Sequence, residues 1–141
     1  MAEVIELTEA YLDSVTALDE RIFPESPWGK ESFRANIRND FDHPLTAVED
    51  GKVVGFGILR QIDAGEILLV GVDPRERRKG IGEKLVKELL ALSRQGEHVF
   101  LEVRSQNAAA VGLYRKTGFT EIARRKNYYQ TPADDAIIMM V

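Results

Sequence analysis

The chain has 141 residues, 44% hydrophobic and 30% charged, the balance of a soluble protein able to close one core, and this length predicts a single domain over residues 1–141. It has no cysteine, which excludes disulfides, thiolate metal ligands and an acyl-cysteine intermediate; its two histidines, His43 and His98, lack partners at metal-ligand spacing, so no metal is expected. A formal charge of −4 gives no reason for the whole surface to bind nucleic acid, and with neither a membrane-length apolar run nor a basic, apolar leader, the expected location is the cytoplasm, without membrane attachment.

In chain order, Thr8 is placed to cap a helix in which Leu12, Val15, Leu18 and Ile22 recur at helical spacing, and Pro24 and Pro27 then interrupt the chain. A second helix is predicted from about Gly29 to Asn39. Leu45 to Glu49 and Lys52 to Gln61 read as strands joined at Asp50-Gly51, a pair that favours the left-handed geometry of a tight hairpin turn. Ala64-Gly65 makes the next turn. Ile67 to Val72 is a continuous apolar run, as expected of a strand buried on both faces, and Pro74 stops it.

Leu85, Val86, Leu89, Leu90 and Leu92 mark an amphipathic helix ending near Gly96. Val99 to Val103 reads as another buried strand and Asn107 to Thr117 as a helix that Gly118 ends; Phe119 to Arg125 and Ala136 to Val141 read as closing strands. Strand, helix, strand, helix in the middle implies a parallel pair with a right-handed crossover, and the hairpins at both ends imply antiparallel flanks. The expected fold is α/β, with a mixed central sheet.

The segment Asp73-Pro74-Arg75-Glu76-Arg77-Arg78-Lys79-Gly80-Ile81-Gly82 joins a strand to a helix, so unpaired backbone N–H groups and a positive helix-dipole end gather there. Gly80 and Gly82 lack a Cβ, phosphate oxygens can approach the backbone, and the neighbouring basic side chains add charge; a pyrophosphate suits this chemistry. The alternative is a turn whose glycines only permit tight packing. A lysine-ending nucleotide loop is absent, and a dinucleotide fingerprint would need a small residue where Leu85 stands, although Glu102 lies about twenty residues after Gly82, where a ribose-binding acid is expected.

Glu102 is a carboxylate in an apolar strand, where unpaired burial is costly. It can be a salt-bridge partner of Arg104 or another cation, or a general base whose carboxyl is raised by partial burial. Tyr114 can pack in the core, or its phenol can hydrogen-bond a leaving sulfur.

These residues resemble the GNAT acetyltransferases, whose cofactor is acetyl-coenzyme A. Arg77-Arg78-Lys79-Gly80-Ile81-Gly82 matches the family's glycine signature. The chain is most similar to the branch that acetylates the N-terminal alanine of a small-subunit ribosomal protein, through Leu101 to Ala110, Leu113-Tyr114, Gly118-Phe119, Arg125 to Tyr129 and Asp135 to Met139. The resemblance implies the GNAT fold, with helices on both faces of the sheet. It makes Glu102 the proton acceptor and Tyr114 the proton donor to the departing thiolate. Val70, Gly71 and Val72 would lie along the acetyl and pantetheine arm, Arg77, Arg78, Lys79, Gly80, Ile81 and Gly82 would hold the pyrophosphate, and Asn107 would contact the cofactor. Trp28, Tyr128 and Tyr129 fall in the acceptor region.

Two features depart from the family pattern: the stretch from Phe23 to Trp28 is longer than usual, and Gly71 stands where alanine is typical. The implied activity is direct acetyl transfer to a protein N-terminus. Competing readings are a small-molecule amine acceptor and a non-catalytic coenzyme-A-binding module, the latter disfavoured because Glu102 and Tyr114 are both present.

Overall fold

The apolar patterns resolve into one seven-stranded sheet in the computed structural model, which describes residues 1–141. The elements are β1 (Glu3–Glu6), α1 (Leu12–Ile22), α2 (Lys30–Arg38), β2 (Asp42–Glu49), β3 (Lys52–Gln61), β4 (Gly65–Val72), α3 (Ile81–Leu92), β5 (Val99–Arg104), α4 (Ala108–Lys116), β6 (Thr120–Gln130) and β7 (Ala133–Met140). Their order across the sheet is β1-β2-β3-β4-β5-β7-β6. Only β4 and β5 run parallel, joined by the crossover through α3 that the strand–helix–strand order predicts.

The two faces carry separate cores. Ile81, Leu85, Val86 and Leu89 of α3 and Tyr114 of α4 pack on one face, against Leu45, Ala47, Val54, Leu59, Leu101 and Val103. Leu12, Val15 and Leu18 of α1 and Phe33 of α2 pack on the other, against Phe56 and Ile58. Strand β3 supplies both by alternation, Phe56 and Ile58 facing one core and Leu59 the other, and its register shift opposite Ala47/Val48 leaves Val54 as an extra residue turned into the first core. Full burial of side chains such as Leu85 and Leu89 is worth about 1.5–3 kcal/mol each.

The hairpin turn at Asp50-Gly51 has the expected left-handed backbone at both residues, φ 52° and 77°. Elsewhere the chain departs from its sequence reading for identifiable reasons. Strand β1 goes unanticipated because Glu-Val-Ile-Glu is too short to show a period; pairing from Glu3↔Val48 to Glu6↔Leu45 makes it a strand. Thr8 sits ahead of a short 3₁₀ turn, Glu9–Tyr11, and makes no side-chain capping bond. Gly65 already belongs to β4, and β2 starts at Asp42, whose carboxylate receives Arg60 Nε at 2.8 Å and Nη2 at 3.0 Å. Strand β6 extends to Gln130 with no buried residue, held by its ladder to β7 instead of an apolar face. No helix is long and apolar enough to cross a membrane.

Candidate active site

The expectation that Ile67 to Val72 is buried on both faces fails at Leu68, Leu69, Val70 and Val72, which are half-buried. The cause is the parallel pairing itself. Strands β4 and β5 are registered only at Gly65↔Val99 and Glu66↔Phe100, and beyond that point they part. Backbone groups of β4 that would bond to a neighbouring strand are thereby left facing a gap. A cleft of about 480 Å³ runs through this gap: Val70, Gly71 and Val72 form its floor, the glycine loop and α4 form one side, and Ile22 and Phe23 at the end of α1 close it from the opposite face of the sheet.

The loop is shaped by its own residues. Asp73, at the end of β4, accepts from the backbone N–H of Arg75 (3.0 Å), from Arg75 Nη2 (3.1 Å) and from Arg21 Nη2 (3.3 Å). The Arg75 hydrogen bonds hold its carboxyl below the usual carboxylate range against the opposing effect of burial. Arg78 and Gly80 then adopt positive φ, 69° and 79°. A Cβ at Gly80 would meet nothing within 4 Å, so glycine is needed there for conformation; a Cβ at Gly82 would sit 3.1 Å from Leu113 Cδ2, so glycine there lets α4 pack without displacing that side chain. The first backbone bond of α3 is Lys84 N–H to Gly80 C=O (3.0 Å), which leaves the N–H groups of Ile81, Gly82 and Glu83 free of the helix. Free N–H groups, a helix dipole and two arginines on the cleft wall make an anion cradle that fits a pyrophosphate. Leu85, where a dinucleotide fold would need a small residue, is fully buried.

The cleft gathers Val70, Gly71, Val72, Arg77, Arg78, Gly80, Ile81, Gly82, Asn107 and Tyr114. Lys79 instead pairs with Glu76. Asn107 uses its side-chain oxygen to cap α4, accepting from Ala110 N–H at 3.1 Å, so it sets the helix start at the rim. Gly71 has a physical reason to differ from alanine: a methyl there would lie 2.6 Å from Phe56 Cζ and 3.2 Å from Ile22 Cδ1.

Tyr114 is 7% exposed and edge-on to Phe119, with ring centroids 5.7 Å apart. No buried side-chain nitrogen or oxygen lacks a partner, yet this phenol bonds to nothing in the protein, so its hydroxyl opens to the cleft that the residue lines. Burial first, and then the neighbouring Tyr129, push it far above the ordinary phenol value, which keeps it a neutral donor.

Glu102 lies between Leu101 and Val103, which enter the α3-side core, so strand alternation sends its carboxylate to the opposite face. Its side chain is 30% exposed and its cationic neighbour is Arg125, 3.7 Å away, not Arg104. Tyr129 connects the two candidates. Burial chiefly, and then the charge of Glu102, raise its phenol, while it in turn acts on Tyr114. Tyr128 stands edge-on to Tyr129 at 5.1 Å and is exposed.

Trp28 is held away from the cleft: its Nε1 donates to Asn36 Oδ1 (2.8 Å), its backbone N–H donates to Asp19 Oδ1 (3.0 Å), and its ring packs on the α1–α2 core. It anchors the loop between these helices. Sequence reasoning missed Ile22 as a cleft wall, because its helical spacing signals only a buried face, Phe23, because it reads as the start of the loop to Trp28, and Arg104 as a tether of the β6–β7 turn. No three His, Cys, Asp or Glu side chains gather where they could hold a metal ion.

Comparison with known proteins matches residues 10–119 to the acetyltransferase (GNAT) family. N-alpha-acetyltransferase RimI of Mycobacterium tuberculosis is 33% identical over 139 residues, covering 94% of this chain and 87% of the relative. The [ribosomal protein bS18]-alanine N-acetyltransferase of Escherichia coli K12 is 37% identical over 119 residues, 80% of this chain and 79% of the relative. The crystal structure of the ribosomal-protein-S18-alanine N-acetyltransferase from Escherichia coli superposes with a TM-score of 0.88 at 31% identity, covering 100% of this chain and 93% of that one. The chain therefore belongs to the GNAT acetyltransferase family.

Proposed function

We propose that this protein transfers the acetyl group of acetyl-coenzyme A to the N-terminal amine of a protein, the alanine of ribosomal protein bS18 being the leading acceptor. The observation that carries this reading is the cleft through the β4–β5 gap, lined by the anion cradle and Tyr114; Glu102 lies outside that lining, on the other face of β5. A donor anchored by phosphates and an amine can then meet inside the sheet from opposite sides. The names of the relatives supply the acceptor.

Acetyl-coenzyme A supplies an acetyl group already activated as a thioester. Arg77, Arg78 and the free N–H groups of Ile81 and Gly82 would hold its phosphates, and the open backbone of Val70 to Val72 offers hydrogen-bonding groups along the floor. Glu102 takes the proton of the α-ammonium, whose pKa is near 8, directly or through a water. Tyr114, kept neutral by burial, donates a hydrogen bond to the sulfur as negative charge develops there. Transfer is direct, with no acyl-enzyme required, and the lack of cysteine excludes an acyl-cysteine intermediate.

The test offers acetyl-coenzyme A with peptides that begin Ala, Ser, Met or Gly, and with polyamines, and locates the added acetyl group by mass spectrometry. Acetylation confined to the α-amine of alanine-first peptides is expected. Turnover of polyamines without peptide acetylation would replace this reading with the small-amine one.

A further inference from the structure

Strand β6 reaches Glu102 across β7, with Arg125 3.7 Å from the carboxylate and the Tyr129 phenol within its field, yet no residue of β6 is buried, so apolar burial does not fix its position. Its ladder also fails where it passes the site: pairing jumps from Arg125↔Ala136 to Tyr129↔Asp134, and Asn127 between them has φ 53°. The tip of this hairpin is held by one side chain from another strand. Arg104, the last residue of β5, donates from Nη1 to Pro132 C=O (2.7 Å) and from Nη2 to Thr131 C=O (3.1 Å), while its Cζ lies 4.2 Å from the centre of the Tyr129 ring.

Arg104 is two residues from Glu102, on the same face of β5, so the side chain that grips the turn stands beside the carboxylate. Tyr129 lies where Arg104 and Glu102 both act on its phenol. One planar guanidinium can donate to two carbonyls and stack on a ring at once; a lysine ammonium keeps the charge but cannot reproduce the fork and the stacking together.

We propose that Arg104 is a positioning residue for the acceptor: by fixing the Thr131–Pro132 turn and the Tyr129 ring, it sets the wall against which the incoming peptide lies beside Glu102. The inference rests on the peptide reading of the site. It assigns Arg104 to acceptor recognition alone, since the anion cradle and the Tyr114 hydroxyl belong to the α3–α4 side of the gap.

The experiment compares Arg104→Gln, Arg104→Lys and Tyr129→Leu with the wild type, measuring peptide KM, kcat and acetyl-coenzyme A affinity. Arg104→Gln should raise peptide KM about tenfold, with kcat and donor affinity within about twofold. Arg104→Lys should recover only part of the loss. Tyr129→Leu removes the ring while leaving both carbonyl bonds in place, so it reports on the wall even if the Arg104 variants melt early, and it should raise peptide KM as well, with donor affinity retained. Unchanged peptide KM in Tyr129→Leu and in a folded Arg104→Gln would overturn the inference, as would a parallel loss of donor affinity. If the wild type acetylates no peptide, the function reading falls and takes this inference with it; if it does acetylate peptides and the variants match it, only the inference falls.

Discussion

The two sides of the β4–β5 gap, the one proposed for the donor and the one proposed for the acceptor, are built by different physics. On the donor side the site is mostly backbone: Arg78 and Gly80 in left-handed geometry, the free N–H groups of α3, and a tyrosine fixed by burial against Phe119. On the acceptor side, β6 contributes no buried residue, and its shape depends on side-chain bonds: Arg104 to two carbonyls, Arg125 to Glu102, and Asp134 to the Gln106 N–H at 3.1 Å. A wall made of backbone recognises what every donor molecule shares, whereas a wall made of tethered side chains can be re-aimed by single substitutions. The contrast predicts that donor-side changes act through conformation and chemistry, and acceptor-side changes through positioning.

The largest expected effect tests the residue at the meeting point of the two walls. Tyr114→Phe deletes a hydroxyl that bonds to nothing in the protein, so folding stability should be little altered. Its removal should nevertheless lower the single-turnover rate by roughly 10²–10⁴-fold, the range of general acid catalysis, with donor affinity preserved. An unchanged single-turnover rate in the folded, donor-bound variant would return Tyr114 to a packing role and leave the donor wall purely a binding surface.

The same division explains what could be read from the sequence. The glycine loop was legible because its chemistry is local: basic residues, two glycines and a helix start lie within one short segment, and each glycine has its own stereochemical cause. The central parallel pair was legible from element order. The opening of that pair was not, since it depends on where registration between β4 and β5 stops, and nothing in Ile67 to Val72 marks that point. The acceptor side was still less legible. Arg104 bonds to a turn 27 and 28 residues later, and Glu102 meets Arg125 instead of its neighbour Arg104, contacts fixed by the pairing of β5 with β7 and of β7 with β6. The length of β6 was misjudged for the same reason: a polar strand has no apolar period to announce it.

A smaller effect should come from the donor cradle. Gly80→Glu brings a negative charge toward the phosphate position and forces an L-residue into the left-handed region, which costs roughly 1–2 kcal/mol before any ligand is present. Calorimetry should show acetyl-coenzyme A affinity reduced by about tenfold or more, with kcat for bound donor much less affected. Unaltered affinity would show that backbone conformation at the loop does not control donor binding, and the distinction between the walls would lose its basis.

The smallest expected effect separates Tyr114 and Tyr129 by their alkaline behaviour. Both phenols are raised in the folded protein, Tyr114 far more, because burial penalises the phenolate and Tyr114 is the more deeply enclosed. In the unfolded chain a phenol ionises near pH 10. A raised folded value means that the unfolded state releases its proton first, so the stability linked to the neutral phenol is fully present below about pH 10 and is lost as pH rises beyond it. The loss from one such group cannot exceed about 1.4 kcal/mol per pH unit. Urea unfolding of the wild type, Tyr114→Phe and Tyr129→Phe, compared between about pH 9 and 11, isolates each contribution because the other titrating groups cancel in the differences. Tyr114→Phe should flatten the alkaline decline clearly and Tyr129→Phe much less. Equal flattening would mean that the acceptor wall shields Tyr129 as fully as the core shields Tyr114, and β6 would then have to be treated as a packed element instead of a tethered one.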